Sequence, residues 1–326
     1  MRLGAGRNLQ RGRTLIELII AMAIGLVIVA GVASLYMSSS NVSRTANQIG
    51  TVEQTGQLAL IFIGESVKEA GYGEIIGTDF AGGQNQTLFD GAHLRGCTGQ
   101  RFTNAFATPP DLSCTGATAG DTLYVRFQAR PVVAPMDAAE ADRITVTDCL
   151  AQAAPTEQID PTVLRPGAGV SRRMVTNVFF YDPVNLTLNC RGNGGGAAQV
   201  VLRDVTDFRV FYRFDDAAYA VGASGVTNAA PLGASVRDAT FVNGLAGVID
   251  PWNYVVSVLV CMTIRTNEMG VASTSGAFNN PRCPATAAEA ETGLALTGVT
   301  TDGRIHRTFS KVFTIRTRAT ANPSMT

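Results

Sequence analysis

The feature that most constrains this chain is an unbroken apolar run near its N-terminus. Every side chain in residues 18–33 is Leu, Ile, Ala, Met, Val or Gly, and no charged residue follows Glu17 until Arg44. As a helix, residues 15–37 would extend roughly 35 Å, which is enough to cross the hydrocarbon core of a bilayer. A membrane helix needs no acid at its edge, and an ionised carboxylate is costly there, so the presence of Glu17 has to be explained.

The segment that precedes the apolar run is short and basic. Residues 1–12 contain three arginines and no acid, and Arg13 adds a fourth positive charge. Because positive charge accumulates on the cytoplasmic side, we expect the N-terminus in the cytoplasm and the chain after residue 37 outside. A secretory signal peptide would have a shorter apolar core, and "GVASLYMSSS" imitates its cleavage site only loosely.

Helical periodicity continues beyond the apolar run. Small and apolar residues recur at steps of three or four, which places them on one stripe of a helix. No proline interrupts this pattern, and Gly71 is suited to end it. We therefore predict one helix of about 55 residues, with its first half in the membrane and its second half packed on a globular domain. The stripe consists of Val42, Ala46, Ile49, Val52, Gly56, Leu60, Ile63, Val67 and Ala70.

From about residue 74 the sequence becomes typical of β-structure. Alternation predicts strands in "TLYVRFQ", "RITVTDC", "VTNVFFYD", "LTLNC", "QVVLRDV", "DFRVFYRF" and "RTFSKVFTIRT". The continuous apolar stretch "NYVVSVLVCMTI" is too short for a membrane span, so it predicts a central strand. Residues 75–120, 215–247 and 266–301 are predicted to be long loops. The fold class is therefore α+β, with a long N-terminal helix packed on a mostly antiparallel sheet.

The six cysteines indicate disulfides in an oxidising compartment. Their number is even, they are widely spaced and none forms a CxxC pair, although scattered buried thiols are an alternative. Six cysteines allow 15 pairings. Cys149 and Cys190 are the favoured pair because each ends a predicted strand. Sequence proximity and strand context favour the pairs Cys97–Cys114, Cys149–Cys190 and Cys261–Cys283.

Composition argues against several classes of function. The chain has 26 Lys plus Arg and 26 Asp plus Glu, so its net charge is 26 − 26 = 0, and no basic patch indicates nucleic-acid binding. Its two histidines, His93 and His306, are far apart, and no Gly-x-Ser-x-Gly motif occurs. The glycine-rich residues 192–198 precede no Lys-Ser/Thr pair, so they predict a turn. We expect no catalytic site, cofactor or metal.

The N-terminal residues carry a family resemblance. "RGRTLIELIIAMAIGLVIVAGV" resembles the class III signal of type IV prepilins and type II secretion pseudopilins: a basic leader, a glycine, then Glu at the fifth mature position. In this chain those positions are Gly12 and Glu17, and Arg13 stands where the family usually has Phe or Met. "LALIFIGESVKEAGYGE" and "HRTFSKVFTIRTR" are similar to minor pilins of the PilW type.

The resemblance implies a pilin-like fold and a role in assembly. Residues 1–12 would be a cytoplasmic leader removed by prepilin peptidase, residues 13–71 the long helix and residues 72–326 a periplasmic domain. The expected function is that of a minor pilin of the inner membrane, which primes assembly of a type IV pilus and joins its tip complex. Its expected partners are other minor pilins, the major pilin, a pilus-tip adhesin and inner-membrane lipid. The alternatives are a type II secretion pseudopilin and a membrane-anchored periplasmic enzyme.

Glu17 has two interpretations. With Thr14 it fits a capping box, and an acid in the first turn also suits the helix dipole. In the family's terms, cleavage after Gly12 creates an ammonium at residue 13, which Glu17 of a neighbouring subunit would neutralise. A paired carboxylate is tolerated in low dielectric and an unpaired one is not, so we favour the pairing role.

Overall fold

The computed structural model describes most of the chain after its N-terminal segment. The described residues are 14–73, 75–78, 85–87, 89, 92–107, 110–117, 120–129, 147–159, 170–215, 234–245, 250–268, 278–293 and 296–316. The chain divides into two compact units, Met1–Gly50 and Thr51–Thr326, which are described separately below.

The elements follow in chain order. They are α1 (Leu15–Glu69), β1 (Ile75–Thr78), β2 (Asn85–Thr87), β3 (Leu94–Cys97), β4 (Arg101–Asn104), β5 (Asp111–Thr115), β6 (Thr122–Gln128), β7 (Thr156–Ile159), β8 (Val170–Asp182), β9 (Thr187–Gly192), β10 (Gln199–Arg203), β11 (Val205–Asp215), β12 (Ala234–Arg237), α2 (Ala239–Asn243), a 3₁₀ turn (Pro251–Tyr254), β13 (Val255–Arg265), β14 (Phe278–Pro281), α3 (Ala287–Thr292), β15 (Thr297–Thr300) and β16 (His306–Thr314).

The long helix has the predicted extent. Helix α1 contains 55 residues and carries the apolar run in its first half. Within the described residues, it is the helix that is long and apolar enough to span a membrane. The predicted stripe needs a correction, because Val42 and Ala46 are exposed and burial begins at Val52.

The end of α1 is fixed by glycine and by strand β6. Gly71 adopts a left-handed φ of 70°, a conformation that glycine reaches without steric cost. The Gly71 N–H donates to the carbonyl of Arg126 at 2.9 Å, and the Gln128 N–H donates to the carbonyl of Tyr72 at 2.8 Å. The "AGY" segment therefore ends the helix and ties the chain to the first sheet.

Two antiparallel sheets form most of the second unit. The first has the order β10-β9-β8-β6-β3, with β7 also paired to β8, and the second has the order β12-β11-β13-β16. Strand β13 lies between β11 and β16, so its prediction as a central strand is confirmed. The predicted strand at residues 143–149 lies largely outside the described residues, and Thr147 forms only an isolated bridge with Ala153.

The three segments predicted to be loops contain regular structure, so that prediction was wrong in part. Residues 75–120 include five short strands, of which β4 and β5 form a hairpin. Residues 215–247 include β12 and α2, and residues 266–301 include β14, α3 and β15. These elements are too short to show a clear hydrophobic period, which is why alternation does not reveal them.

The main core lies between α1 and the two sheets of the second unit. The helix reaches β16 at two glycines, Gly56 beside Phe309 and Gly64 beside Phe313. It reaches β8 of the first sheet through an edge-to-face contact between Phe62 and Phe179, whose ring centroids are 5.9 Å apart. The buried helix residues are Val52, Gly56, Ala59, Leu60, Ile63, Gly64, Ser66 and Val67.

A second, smaller core covers the other face of the first sheet. Tyr124 of β6 and Val178 of β8 are buried there with Ala105. The β4–β5 hairpin supplies Phe102, whose ring lies 6.0 Å from that of Tyr124, edge to face. Strand β6 is therefore buried on both faces, because the main core covers one side and the smaller core beneath the hairpin covers the other.

Candidate functional site

The first turn of α1 carries Glu17. Gly12 and Arg13 lie outside the described residues. The N–H groups of Glu17 and Leu18 donate to the carbonyl of Thr14 at 3.1 and 3.3 Å. Among the described residues, no hydrogen bond joins the Glu17 N–H to the Thr14 hydroxyl or the Thr14 N–H to the Glu17 carboxylate, so the reciprocal capping box is not formed. Glu17 is exposed.

The apolar run of α1 is unburied. Side chains such as Leu15, Leu26 and Leu35 are more than two-thirds exposed. A contiguous apolar surface of this extent is not stable against water and marks a membrane or a protein interface. The segment is thus suited to bind lipid or other apolar helices.

The part of α1 in the second unit approaches β16 closely. A Cβ at residue 56 would overlap the ring of Phe309, and a Cβ at residue 64 would overlap the ring of Phe313. The periodicity of the sequence places Gly56 on the apolar stripe but does not by itself reveal that these two glycines serve in packing. Because Gly56 falls on the predicted apolar stripe, its position is compatible with a close contact.

The N-terminal segment matches a known family. Residues 7–33 match the family described as the prokaryotic N-terminal methylation motif. This chain therefore carries that motif. It covers Arg7, Arg11 and Arg13, together with Gly12, Glu17 and the apolar run at residues 18–33, and it leaves the rest of the chain unassigned.

One solved structure shows a loose likeness. A type IV-like pilin from Thermus thermophilus is 12% identical, with coverage of 82% of this chain and 96% of that chain, at a TM-score of 0.41. A TM-score below 0.5 leaves the two folds only loosely similar. Among curated protein sequences, none matches this chain significantly.

All six cysteines are paired in the structure. Cys97 of β3 bonds to Cys114 of β5, Cys149 to Cys190 of β9, and Cys261 of β13 to Cys283. These are the pairs that sequence proximity favours. The argument for the second pair was wrong in detail, because Cys190 lies within β9 and Cys149 lies in a turn. The bridges attach the β4–β5 hairpin to β3 and the residues after β14 to the second sheet.

The two histidines occupy separate places, and His306 belongs to a polar network. Its Nε2 lies 3.0 Å from Oδ1 of Asp302, and its Nδ1 lies 3.5 Å from the hydroxyl of Thr206. The Thr206 hydroxyl also donates its proton to the carbonyl of Thr263 at 3.3 Å. If His306 acted as a catalytic base toward this hydroxyl, it would have to remove that same proton. The arrangement joins the ends of strands β11, β13 and β16, which is a structural role.

Asp121 links the two sheets through its carboxylate. Its Oδ1 accepts from the Gly99 N–H at 2.9 Å, and its Oδ2 accepts from the Val210 N–H of β11 at 2.8 Å. The guanidinium of Arg209 lies 3.8 Å away. Burial raises the pKa of Asp121 to about 6, although the two N–H donors and Arg209 oppose that rise. Nothing in the sequence around Asp121 indicated this role.

Proposed function

We propose that this protein is a minor pilin of a type IV pilus that prepilin peptidase processes and that primes pilus assembly within the tip complex. The observation that carries the proposal is the methylation motif at residues 7–33, which overlaps an exposed apolar helix of membrane-spanning length. Such a segment serves first as a membrane anchor and then as a surface for packing against similar helices.

The proposal divides the chain at two places. Cleavage between Gly12 and Arg13 removes residues 1–12 as a leader, residues 13–71 form the helix and residues 72–326 form the periplasmic domain. The basic leader orients the helix with its N-terminus in the cytoplasm, across the inner membrane. The three disulfides support an oxidising location for the domain. Other minor pilins, the major pilin and a tip adhesin are the proposed partners.

Glu17 has a specific task in this proposal. Its carboxylate pairs with the ammonium that cleavage creates at residue 13 of a neighbouring subunit. Two observations support the pairing: the Glu17 side chain is exposed, and among the described residues its carboxylate accepts no hydrogen bond from the Thr14 N–H. A charge in the assembled helix bundle is poorly screened, so a partner of opposite sign is required.

The deciding experiment is N-terminal sequencing of the mature protein from membranes of cells that contain the peptidase. We expect a start at Arg13, together with the mass of the chain without residues 1–12. Gly12→Val should block cleavage because it adds bulk at the junction, whereas Gly6→Val changes a leader glycine away from the junction and should be cleaved normally.

Two other results would contradict the proposal. A mature start near Ser38 would indicate an ordinary signal peptide, and retention of residues 1–12 in the wild-type protein would indicate a simple membrane anchor. Co-purification of the cleaved protein with secretion pseudopilins, and not with pilins, would favour the type II secretion alternative.

A further inference from the structure

A cleft of about 450 Å³ opens between the β4–β5 hairpin and the outer face of the first sheet. This volume lies within the range of sites for small molecules. Its walls are mostly apolar, with phenylalanines from the hairpin and from β8 and two alanines from the segment between β9 and β10. The smaller core of the second unit forms its floor, so the cleft is built on a sheet rather than on a single loop.

Two arginines from different strands project into the cleft, and no acid is among the described residues that line it. Arg101 of β4 stacks on the ring of Phe180, with its Cζ 4.5 Å from the ring centroid. Arg191 of β9 stacks on the ring of Phe106 at 4.4 Å. Arg101 Nη2 also donates to the carbonyl of Tyr181 at 3.2 Å. Stacking holds each guanidinium plane and leaves the remaining edge N–H groups for an acceptor.

The charges of these arginines are not neutralised by the protein nearby. In the part of the chain that the structure describes, neither guanidinium forms an ion pair with a carboxylate. Asp182 contributes to the electrostatic surroundings of Arg101, but its carboxylate accepts from Asn185 Nδ2 at 2.8 Å and from the Val184 N–H at 3.0 Å. Asp182 stays ionised and offsets part of the Arg101 charge, but it does not line the cleft, so the two lining arginines give the cleft a net positive charge.

The side-chain oxygen atoms of the neutral polar residues in the wall are engaged within the protein. The hydroxyl of Thr103 donates to the carbonyl of Ser113 at 3.1 Å, and that of Thr122 donates to the carbonyl of Gln100 at 2.7 Å. The side-chain oxygen of Asn104 accepts from the Phe106 N–H at 3.4 Å. A neutral sugar would need several such groups free, whereas an anion needs only the two arginines.

We propose that this cleft binds a small organic anion, with Arg101 and Arg191 holding a carboxylate, sulfate or phosphate and the phenylalanine wall covering a flat apolar body. The anion accepts hydrogen bonds from the guanidinium edges, and the apolar body replaces water against Phe102 and Phe180. Charge and shape thus act together, so a ligand that lacks either part binds more weakly.

The test uses the full chain in neutral detergent and two probes of equal shape, 2-naphthoate and the neutral 2-naphthamide. Isothermal titration calorimetry is run against protein and against empty micelles. We expect naphthoate to bind with a Kd below about 1 mM. We also expect naphthamide to bind at least 10-fold more weakly.

Three variants locate the site. The double variant Arg101→Gln, Arg191→Gln should weaken naphthoate binding at least 10-fold. Arg203→Gln removes an exposed arginine from neighbouring strand β10, outside the cleft lining, and should bind as the wild type does. Ala198→Trp keeps both charges and fills the cleft from an exposed position, so it should abolish binding without disturbing the core.

The unfolding midpoint of each variant is measured alongside, so that a loss of fold is recognised. If the double variant unfolds, Ala198→Trp decides the question. Absence of naphthoate binding, equal binding of naphthamide, or unchanged binding in Ala198→Trp would overturn the proposal.

Discussion

Gly64 of α1 lies directly against the ring of Phe313 on β16, with no room for a Cβ between them. Gly56 meets Phe309 in the same way, two turns earlier in the helix. The two glycines let the helix backbone approach β16 closely while the phenylalanine rings fill the space that side chains would have taken. Glycine has a low helix propensity, which destabilises the helix at both positions. The packing of the two buried rings compensates for this cost.

We predict that Gly64→Ala destabilises the second unit. The added methyl forces the Phe313 ring to move, and overpacking of this kind costs about 1–3 kcal/mol. The better helix propensity of alanine returns roughly 1 kcal/mol. Chemical denaturation followed by tryptophan fluorescence measures the difference, since Trp252 is buried in this core.

Gly50→Ala is the matched control for that substitution. No atom lies within 4 Å of a Cβ at residue 50, so the change should be neutral or stabilising by up to about 1 kcal/mol. Combining Gly64→Ala with Phe313→Leu should recover part of the loss, because the smaller side chain makes room for the methyl. Equal effects of the two glycine substitutions would contradict the packing role of Gly64.

The second prediction concerns the pH dependence of stability through Asp121. Its pKa is raised from 3.8 to about 6 in the folded protein, so the folded state binds the proton more tightly than the unfolded state. Stability from this group is therefore present below about pH 4 and is lost as the pH rises through about 6. The loss amounts to about 3 kcal/mol. Thermal unfolding of the wild type and of Asp121→Asn is measured between pH 4 and 7. The loss appears as a change with pH in the difference between the stabilities of the two proteins.

Asp111→Asn is the control for this experiment. The Asp111 carboxylate is exposed, and its hydrogen bonds with Ser113 lower its pKa. Its contribution has the opposite sign, because it is lost as the pH falls. Asp207 and Arg209 lie beside Asp121 and remain in both proteins, so the difference reports Asp121 together with its coupling to these two groups. The prediction would be wrong if the difference in stability between the wild type and Asp121→Asn stayed constant with pH.

The large elements were predictable from sequence because their patterns are long. Helix α1 has a continuous 3.6-residue period and a glycine stop, and β13 has an apolar run that is rich in β-branched residues. The small elements were not, since their stability comes from contacts distant in sequence. The β4–β5 hairpin is held by the Cys97–Cys114 bridge and by packing on Tyr124.

One missed element did have a local pattern. Thr286 and Glu289 form a T-x-x-E capping box at the start of α3, in which the Glu289 N–H donates to the Thr286 hydroxyl at 3.3 Å. The Glu289 carboxylate accepts from the Ala285 N–H and from Arg282. By contrast, the cleft joins Arg101 to Arg191 across the fold, and no sequence pattern brings two such distant residues together.

The third prediction ranks the disulfides. Alkylation of the unfolded, unreduced protein should label no cysteine, and reduction should expose all six. Replacing Cys149 and Cys190 by alanine should cost roughly 4 kcal/mol of unfolding free energy, against roughly 3 kcal/mol for Cys97 and Cys114. The Cys149–Cys190 bridge closes a sequence separation of 41 residues, and the Cys97–Cys114 bridge closes one of 17. Denaturant titration of both double variants measures the two losses of unfolding free energy. A larger loss for the Cys97–Cys114 variant would contradict this ranking.

The fourth prediction returns to the acid at the edge of the apolar run. Glu17→Gln keeps the size of the side chain and removes its charge, and Glu17→Ala removes both. If the carboxylate pairs with an ammonium of a neighbouring subunit, both variants should assemble about 100-fold less well or worse. Breaking a buried pair costs about 3–5 kcal/mol. If capping dominated, Gln would retain most of the function, with a deficit near 1 kcal/mol.

Assembly is measured as co-purification of the cleaved protein with other pilin subunits and as the number of surface pili. Glu65→Gln is the matched control, because Glu65 is an exposed acid of the same helix whose bond to Lys68 contributes little to stability. Cleavage and membrane insertion should be normal in all three variants, because the charge matters only once helices pack together and exclude water. Wild-type assembly by Glu17→Gln would refute the pairing and leave the first-turn position as the better account of Glu17.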